Sequence, residues 1–408
     1  MIKRNHHTLA LLAGISLFLI SPQTGSSFQQ QSPVPLSSRE RQDSLRRLLQ
    51  ARLDSFHAEG DFPGATAGFR LPDGTSFGLA VGTSDRESDS EMKPDARMLA
   101  GSTGKTFVAA VALQLVGEGL LILDEPARSY LGAEPWYEQL PNGESITVRM
   151  LMNHTSGIVR YEFNPAFTSD LTADPDRVWE PRELVSYILG TEPPFPAGQG
   201  WTYSDTNYIL LGMIIERITG ATLYDEIERR LLDPLGLKDT VPSDSRTIPG
   251  LVQGYAGRNN PFGGTDAMIH DGRLAINPQF EWAGGGFATT APDLARWAAD
   301  IYEGRACDPA LLEQALDGTP APQLGRGTRY GLGVIIRQTP AGTAYGHSGF
   351  FPGYLTEMYF FPDHGFSVAI QLNTSVVRAL GRSTASVVDE LARIIVEATI
   401  SVDQAYTL

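Results

Sequence analysis

One cysteine, Cys307, stands in a chain of 408 residues. A lone thiol leaves no intramolecular disulfide framework and no multi-cysteine zinc site, so the expectation for Cys307 is a buried, inert side chain. Cations are scarce as well: 32 Lys and Arg face 47 Asp and Glu, a formal net charge of −15. Such a surface repels a polyanion at long range and argues against nucleic acid as a partner. The apolar run from Leu9 to Ile20 falls short of the roughly 20 residues that cross a bilayer comfortably. No internal repeat is visible. What is present is an ordinary globular composition, 42% hydrophobic with 42 Gly and 27 Pro. At about 150 residues per domain the length suits two or three domains, or one large enzyme fold with an inserted region.

The N-terminal segment runs basic (Lys3, Arg4), apolar (Leu9 to Ile20), then small and polar (Ser21 to Ser27), which is the order of an export signal. The expectation is a signal peptide over 1–27, a linker over 28–37, and a mature protein that is periplasmic or secreted. An uncleaved segment would act as a membrane tether. No cysteine follows the run to carry a lipid.

Beyond it, Leu45, Leu48, Leu49, Leu53 and Phe56 recur at helical spacing and predict an amphipathic helix over 38–56. Gly64 to Arg70 and Thr75 to Val81 read as a hairpin turned by Pro72-Asp73-Gly74. The middle is mainly helical, over about 106–300, with helices at 106–118, 148–153, 207–218, 223–232 and 291–302. Strands follow at 330–337, 343–347, 354–361 and 366–373, then a closing helix at 383–400 and a tail over 401–408. Strands from both chain ends point to an α/β (α+β) fold: one antiparallel sheet, flanked by the terminal helices, with a helical insertion, all within 38–400.

Chemistry concentrates at Gly101-Ser102-Thr103-Gly104-Lys105-Thr106, where an irregular stretch enters a long apolar helix. Ser102 and Lys105 are one turn apart on one face. Serine needs a base to become a nucleophile, and a desolvated lysine near the positive end of a helix is pushed toward the neutral amine that can serve. A phosphate-binding loop would need glycine where the chain has Leu99. A strand-to-helix nucleophile elbow is a third reading, with His347 or His364 as base. Taken alone, the pattern also describes a serine capping a helix beside a surface lysine.

Two further elements accompany it: Tyr203-Ser204-Asp205 before a helix, and His347-Ser348-Gly349 at a strand end. The order Ser-x-x-Lys, Tyr-Ser-Asp, His-Ser-Gly resembles the active-site elements of the serine β-lactamase and penicillin-binding-protein superfamily. It is most similar to the branch of class C β-lactamases, D-alanyl-D-alanine carboxypeptidases and family VIII esterases. Flanking stretches match too, among them Leu151-Met152-Asn153-His154-Thr155-Ser156-Gly157, Gly284-Gly285-Gly286 and Tyr330-Gly331-Leu332-Gly333. The resemblance spans about 45–395 and implies a β-lactamase-like fold and a serine hydrolase with no cofactor and no metal. Ser102 would be acylated, Lys105 would hold or take its proton, and Tyr203 would be partner base and leaving-group acid. The backbone N–H groups of Ser102 and Phe350 would form the oxyanion hole, Ser348 and Gly349 would line the substrate, and His347 would orient Tyr203 or the acyl group. His154 reads as structural, Trp201 as pocket-lining or packing, and the Gly284 to Gly286 run as close backbone approach or a flexible loop.

Two departures bear on the substrate. Many members carry Asn at Asp205, and an ionised aspartate cannot donate to a substrate carbonyl. It can accept from Lys105, which would hold the lysine charged and favour Tyr203 as base. His347 stands where β-lactamases usually have Lys, a weaker handle for a penicillin carboxylate. The expected substrates are cell-wall-type D-amino-acid peptides or small carboxylic esters, with β-lactam hydrolysis weak or absent. A sensing or binding module that does not turn over is the alternative. Reach of Arg337 into the pocket, stereochemical preference and oligomeric state are not readable from the sequence.

Overall fold

A computed structural model describes residues 37–258, 260 and 265–405. The expected signal peptide and all of the linker but Ser37 lie outside these residues. The first helix, α1 (Ser38–Glu59), opens with a capping box in which Ser37 and Glu40 satisfy each other's backbone N–H groups. The hairpin β1 (Gly64–Arg70) and β2 (Ser76–Asp85) follows, with a short edge strand β3 (Ser90–Glu91). The helical region then intervenes before β4 (Thr319–Pro320), β5 (Arg329–Tyr330), β6 (Ile335–Thr339), β7 (Gly342–Phe351), β8 (Tyr354–Phe361) and β9 (Phe366–Leu372). These nine strands form one antiparallel sheet in the order β3-β2-β1-β9-β8-β7-β6-β5-β4. The two chain ends meet at β1 and β9, where Ala65 lies opposite Leu372.

Side chains alternate between the two faces of this sheet. On one face Phe69, Tyr359, Phe361, Val368 and Ile370 pack under Leu49, Leu53 and Phe56 of α1 and under Val387 and Leu391 of the closing helix. On the other, Met358, Phe360 and Ala369 join a larger core with Leu294 and Trp297 and with Phe107 of the helical region. Gly68 is the contact that lets a helix settle here, since a Cβ on it would stand 2.0 Å from the Ala291 carbonyl.

Within the helical region, α2 (Lys105–Gly117), α3 (Asp205–Thr219) and α4 (Ala291–Tyr302) stand where the apolar periodicity predicts them. Two expectations need correction. The strand over 330–337 is two strands, because Gly333 takes φ 77 and Gly331 bonds locally to Val334, folding the chain back between β5 and β6. The closing helix, α5 (Thr384–Ala405), runs five residues into the expected tail. Cys307 is buried and free, as expected. Among the described residues no helix is long and apolar enough to cross a membrane.

Candidate active site

Ser102 lies on a tight connection between a two-residue strand (Met98–Leu99) and α2. Gly101 takes φ 52, and Gly101–Gly104 makes a single 3-10 turn. A Cβ on Gly101 would stand 2.6 Å from Phe350 O and 2.7 Å from Phe350 N, and one on Gly349 would stand 2.0 Å from Ala100 O. Both glycines are needed because the turn is pressed directly onto β7. That strand pairs with β6 only as far as Gly346, opposite Ile335, although it continues to Phe351. From His347 onward one edge of β7 therefore has no strand beside it, and this edge faces the Ser102 turn. Phe350, 53% exposed, turns its backbone N and O toward Gly101.

Lys105 is fully buried, and its ammonium donates to Ser102 Oγ at 3.0 Å, to the Asp205 carboxylate and to the Gly284 carbonyl. Burial is the largest influence and opposes the charge, but Asp205, with a smaller contribution from Tyr203, outweighs it and holds the Lys105 pKa above its ordinary value. Of the two states the sequence left open for Lys105, the neutral amine and the ammonium held by Asp205, the contact favours the second: desolvation is present, yet a carboxylate in direct contact opposes it. Asp205 is in turn pushed up by burial but pulled further down by Arg160, 2.6 Å from its second oxygen, and by Lys105. A charged lysine donating to Oγ stabilises a developing alkoxide. An ammonium has no lone pair with which to take the serine proton.

Tyr203 stands just before α3, with its ring 5.0 Å from Lys105 Nζ. Its buried hydroxyl makes no hydrogen bond of regular geometry. Burial raises its pKa, and the nearby Lys105 and Ser102 offset this only in part. Tyr203 is a neutral phenol at rest, so any proton relay through it must be concerted. His154, at φ 63, packs against it with ring centroids 4.2 Å apart, and its Nδ1 accepts from Ser204 N–H at 3.3 Å and Asn207 Nδ2 at 3.0 Å. It positions Tyr203, in keeping with a structural role. Trp201 packs nearby, its indole donating to Asn153 O at 2.9 Å.

His347 lines the cavity but is fully engaged. Its Nδ1 is 2.6 Å from Ser348 O and its Nε2 is 2.8 Å from Tyr330 Oη, which fixes Nδ1–H as donor and Nε2 as acceptor. Burial first, then Lys105, pushes its pKa down to about 3. Both ring nitrogens are thus engaged, and His347 forms part of the edge of β7 beside the Ser102 turn. With His364 exposed on the β8–β9 turn, the elbow reading loses both of its candidate bases. The phosphate-loop reading fails because Lys105 is spent inside the protein.

The glycine run resolves to close approach: a Cβ on Gly285 would stand 2.6 Å from Gly101 O, and one on Gly104 would stand 2.9 Å from Gly285. Just before it, Trp282 is held at φ 34, ψ −113, strain of the kind that costs roughly 1–3 kcal/mol.

Over these groups lies a cavity of about 810 Å³ lined by Ser102, Tyr203, Asp205, His347, Ser348, Gly349 and Phe350, which brings together every sequence-predicted site residue except the buried Lys105 beneath it. It also contains residues the motifs did not flag: Arg160, Glu162, Glu281 and Glu357. Burial pushes Glu281 up to about 8 and Glu357 up to about 7, and raises Glu162. Arg337 stays out of the cavity, bonded to Asp389 at 3.0 Å and stacked on Tyr359.

Comparison with known proteins gives a consistent picture. A family model described as Beta-lactamase matches residues 45–392. Penicillin-binding protein 4* of Bacillus subtilis (strain 168) is 25% identical over 78% of this chain and 70% of its own length. D-aminopeptidase of Brucella anthropi is 27% identical over 72% of this chain, a match spanning only 53% of that enzyme's length. Among solved structures, a D-stereospecific amidohydrolase from Streptomyces sp. aligns with a TM-score of 0.72 at 29% identity, covering 86% of this chain and 97% of its own. The D-amino acid amidase from Ochrobactrum anthropi SV3 aligns with a TM-score of 0.74 at 24% identity, covering 88% and 99%, a likeness of fold.

Proposed function

Because the chain belongs to the beta-lactamase family, we propose that it is a serine hydrolase that transfers the acyl group of D-amino-acid amides and peptides to water through an ester on Ser102. The observation that carries this reading is the Lys105 ammonium, buried on Asp205 and aimed at Ser102 Oγ beneath the open edge of β7.

In the reaction so read, Ser102 Oγ attacks the carbonyl while its proton passes to Tyr203 Oη. The phenol's own proton passes to the departing nitrogen in the same step. Water then retraces the path and restores Ser102. The concerted order needs neither a phenolate nor a neutral lysine, which suits the charge states that burial and Asp205 impose. The carbonyl oxygen would lie between the N–H groups of Ser102 and Phe350, donors typically worth about 3 kcal/mol each in such a hole. Ser348 and Gly349 would run beside the substrate.

The relatives' names support D-amino-acid substrates, and the cavity's charge supports an amide or amine-bearing substrate over one with a free carboxylate. Arg160, its one cationic lining residue, is committed to Asp205 and Glu162, and Arg337 to Asp389. The basic, apolar and polar order of residues 1–27 supports export to the periplasm or medium.

The test is hydrolysis of D- and L-phenylalanine p-nitroanilides, with a fluorescent penicillin followed by intact mass in parallel and Ser102→Ala as control. Faster turnover of the D form, lost in Ser102→Ala, is expected. A single burst with no turnover would instead favour a sensing module, and no acylation of Ser102 by any reagent would sink the hydrolase reading.

A further inference from the structure

Glu281 is the one acidic lining residue beside the Ser102 turn that has no hydrogen bond or ion pair among the described residues. Asp205 is held by Lys105 and Arg160, Glu162 by Arg160, and Glu357 by Thr384 Oγ1 at 2.8 Å. Glu281 lines the cavity, is half-buried, and is presented by the segment that also places the Gly284 carbonyl on Lys105. A methyl group on Gly285 would touch Gly101 O at 2.6 Å and Glu281 Oε2 at 3.2 Å, so the carboxyl group stands beside the peptide that precedes Ser102. Trp282, next in sequence, has a strained backbone at φ 34, ψ −113. The wall around it is aromatic: Phe163, Phe167 and Phe280 line the same cavity.

We propose that Glu281 is the receptor for a free amine carried on the carbon next to the scissile carbonyl, with the aromatic wall taking that carbon's side chain. The assignment deepens the acyl-transfer reading above and rests on it. In this reading the carboxyl group, beside the Gly101–Ser102 peptide, takes the amine on the carbon next to the carbonyl that Ser102 attacks. No uncommitted cation competes for it, since the cations facing it, Lys105 and Arg160, are both held by Asp205. Burial pushes Glu281 up to about 8, which favours its protonated form in the empty pocket at pH 7. Substrate α-amines titrate near the same point, about 7.7–8.0. The bound pair therefore shares one proton: a neutral amine takes it from Glu281, or an ammonium enters as Glu281 releases its own to solvent. An N-acylated substrate offers only an amide N–H and cannot form the pair.

The test uses the full chain with Ser102→Ala, which holds ligand without turnover, with and without Glu281→Gln. D-phenylalanine amide and N-acetyl-D-phenylalanine amide are titrated into each by calorimetry at pH 7.5. A hydrogen bond between charged groups predicts that Glu281→Gln weakens the amine ligand by about ten- to a hundredfold and leaves the acetylated one within about twofold. Glu281→Asp, which keeps the charge one methylene back, should recover part of the loss. Equal weakening of both ligands, unchanged binding of the amine, or no binding of the amine by the parent overturns the assignment. Turnover of D-phenylalanine amide by the chain with Ser102 intact is measured alongside. Its absence would count against the hydrolase reading without touching the binding comparison.

Discussion

Asp205 sets the charge state of Lys105. The two are in direct contact, Lys105 wholly buried and Asp205 6% exposed, and the carboxylate reverses what burial alone would do to the amine. Asp205→Asn should remove that support and leave the buried Lys105 without its counter-charge, while the half-buried Arg160 keeps Glu162. Breaking one side of a buried pair typically costs about 3–5 kcal/mol. Lys105 can escape the penalty by losing its proton, so the deficit should be largest at neutral pH and shrink toward pH 10. Denaturant unfolding of both proteins at pH 7 and pH 9.5 measures it, and a deficit that does not depend on pH would contradict the role given to Asp205.

Tyr203→Phe keeps the ring against His154 and removes only the hydroxyl. If that hydroxyl relays the proton, kcat should fall by about 10²–10⁴ while KM changes little. Intact mass should then distinguish slow acylation, in which free enzyme accumulates, from slow deacylation, in which the ester does. Unchanged kcat would remove Tyr203 from the mechanism.

Gly349→Ala and Gly285→Ala test the seating of the nucleophile turn. Each added methyl would meet backbone, Ala100 O at 2.0 Å or Gly101 O at 2.6 Å, and backbone cannot swing aside as a side chain can. Overpacking of this kind costs about 1–3 kcal/mol, and the displaced turn carries Ser102 with it. Both variants should lower the melting temperature and lose turnover of D-phenylalanine p-nitroanilide. Gly117→Ala, whose added methyl comes no closer than 3.4 Å, to Leu311 Cδ1, should leave turnover intact.

Glu357 has a folded pKa of about 7 because of burial, eased by the Thr384 hydrogen bond. An unfolded glutamate titrates near about 4.3. Between those values the folded chain binds the proton that the unfolded chain has released, so this residue's contribution to stability falls as pH rises from about 4.3 through 7. Each unit of separation is worth about 1.4 kcal/mol. Glu357→Gln should therefore melt close to the parent at pH 5 and higher than it at pH 8, the gap opening across that interval in a thermal series.

What the sequence discloses is what depends on spacing. The period of apolar residues over Ala291–Tyr302 and the three-residue step from Ser102 to Lys105 survive intact into helices and a hydrogen bond. The break inside 330–337 was hidden because Leu332 and Val334 continue the apolar run that Gly331 and Gly333 interrupt. The protonation of Lys105 depends on which of burial and Asp205 prevails, and that balance follows from contact and not from sequence order. Glu281 and Arg160 belong to no motif. The first lines the cavity beside the unusual backbone angle at Trp282 and the second lies across Asp205, and neither leaves a trace in residue periodicity.

The pairing of β1 with β9 also sets a clock. During synthesis the first hairpin leaves the ribosome long before the strand that lies beside it, and Ser102 long before the Phe350 peptide it is pressed against. A sheet closed by pairings so distant along the chain forms slowly and late. A chain that stops short of β9 leaves the first hairpin without its neighbouring strand, so the joining of the two ends of the sheet waits for the last few dozen residues.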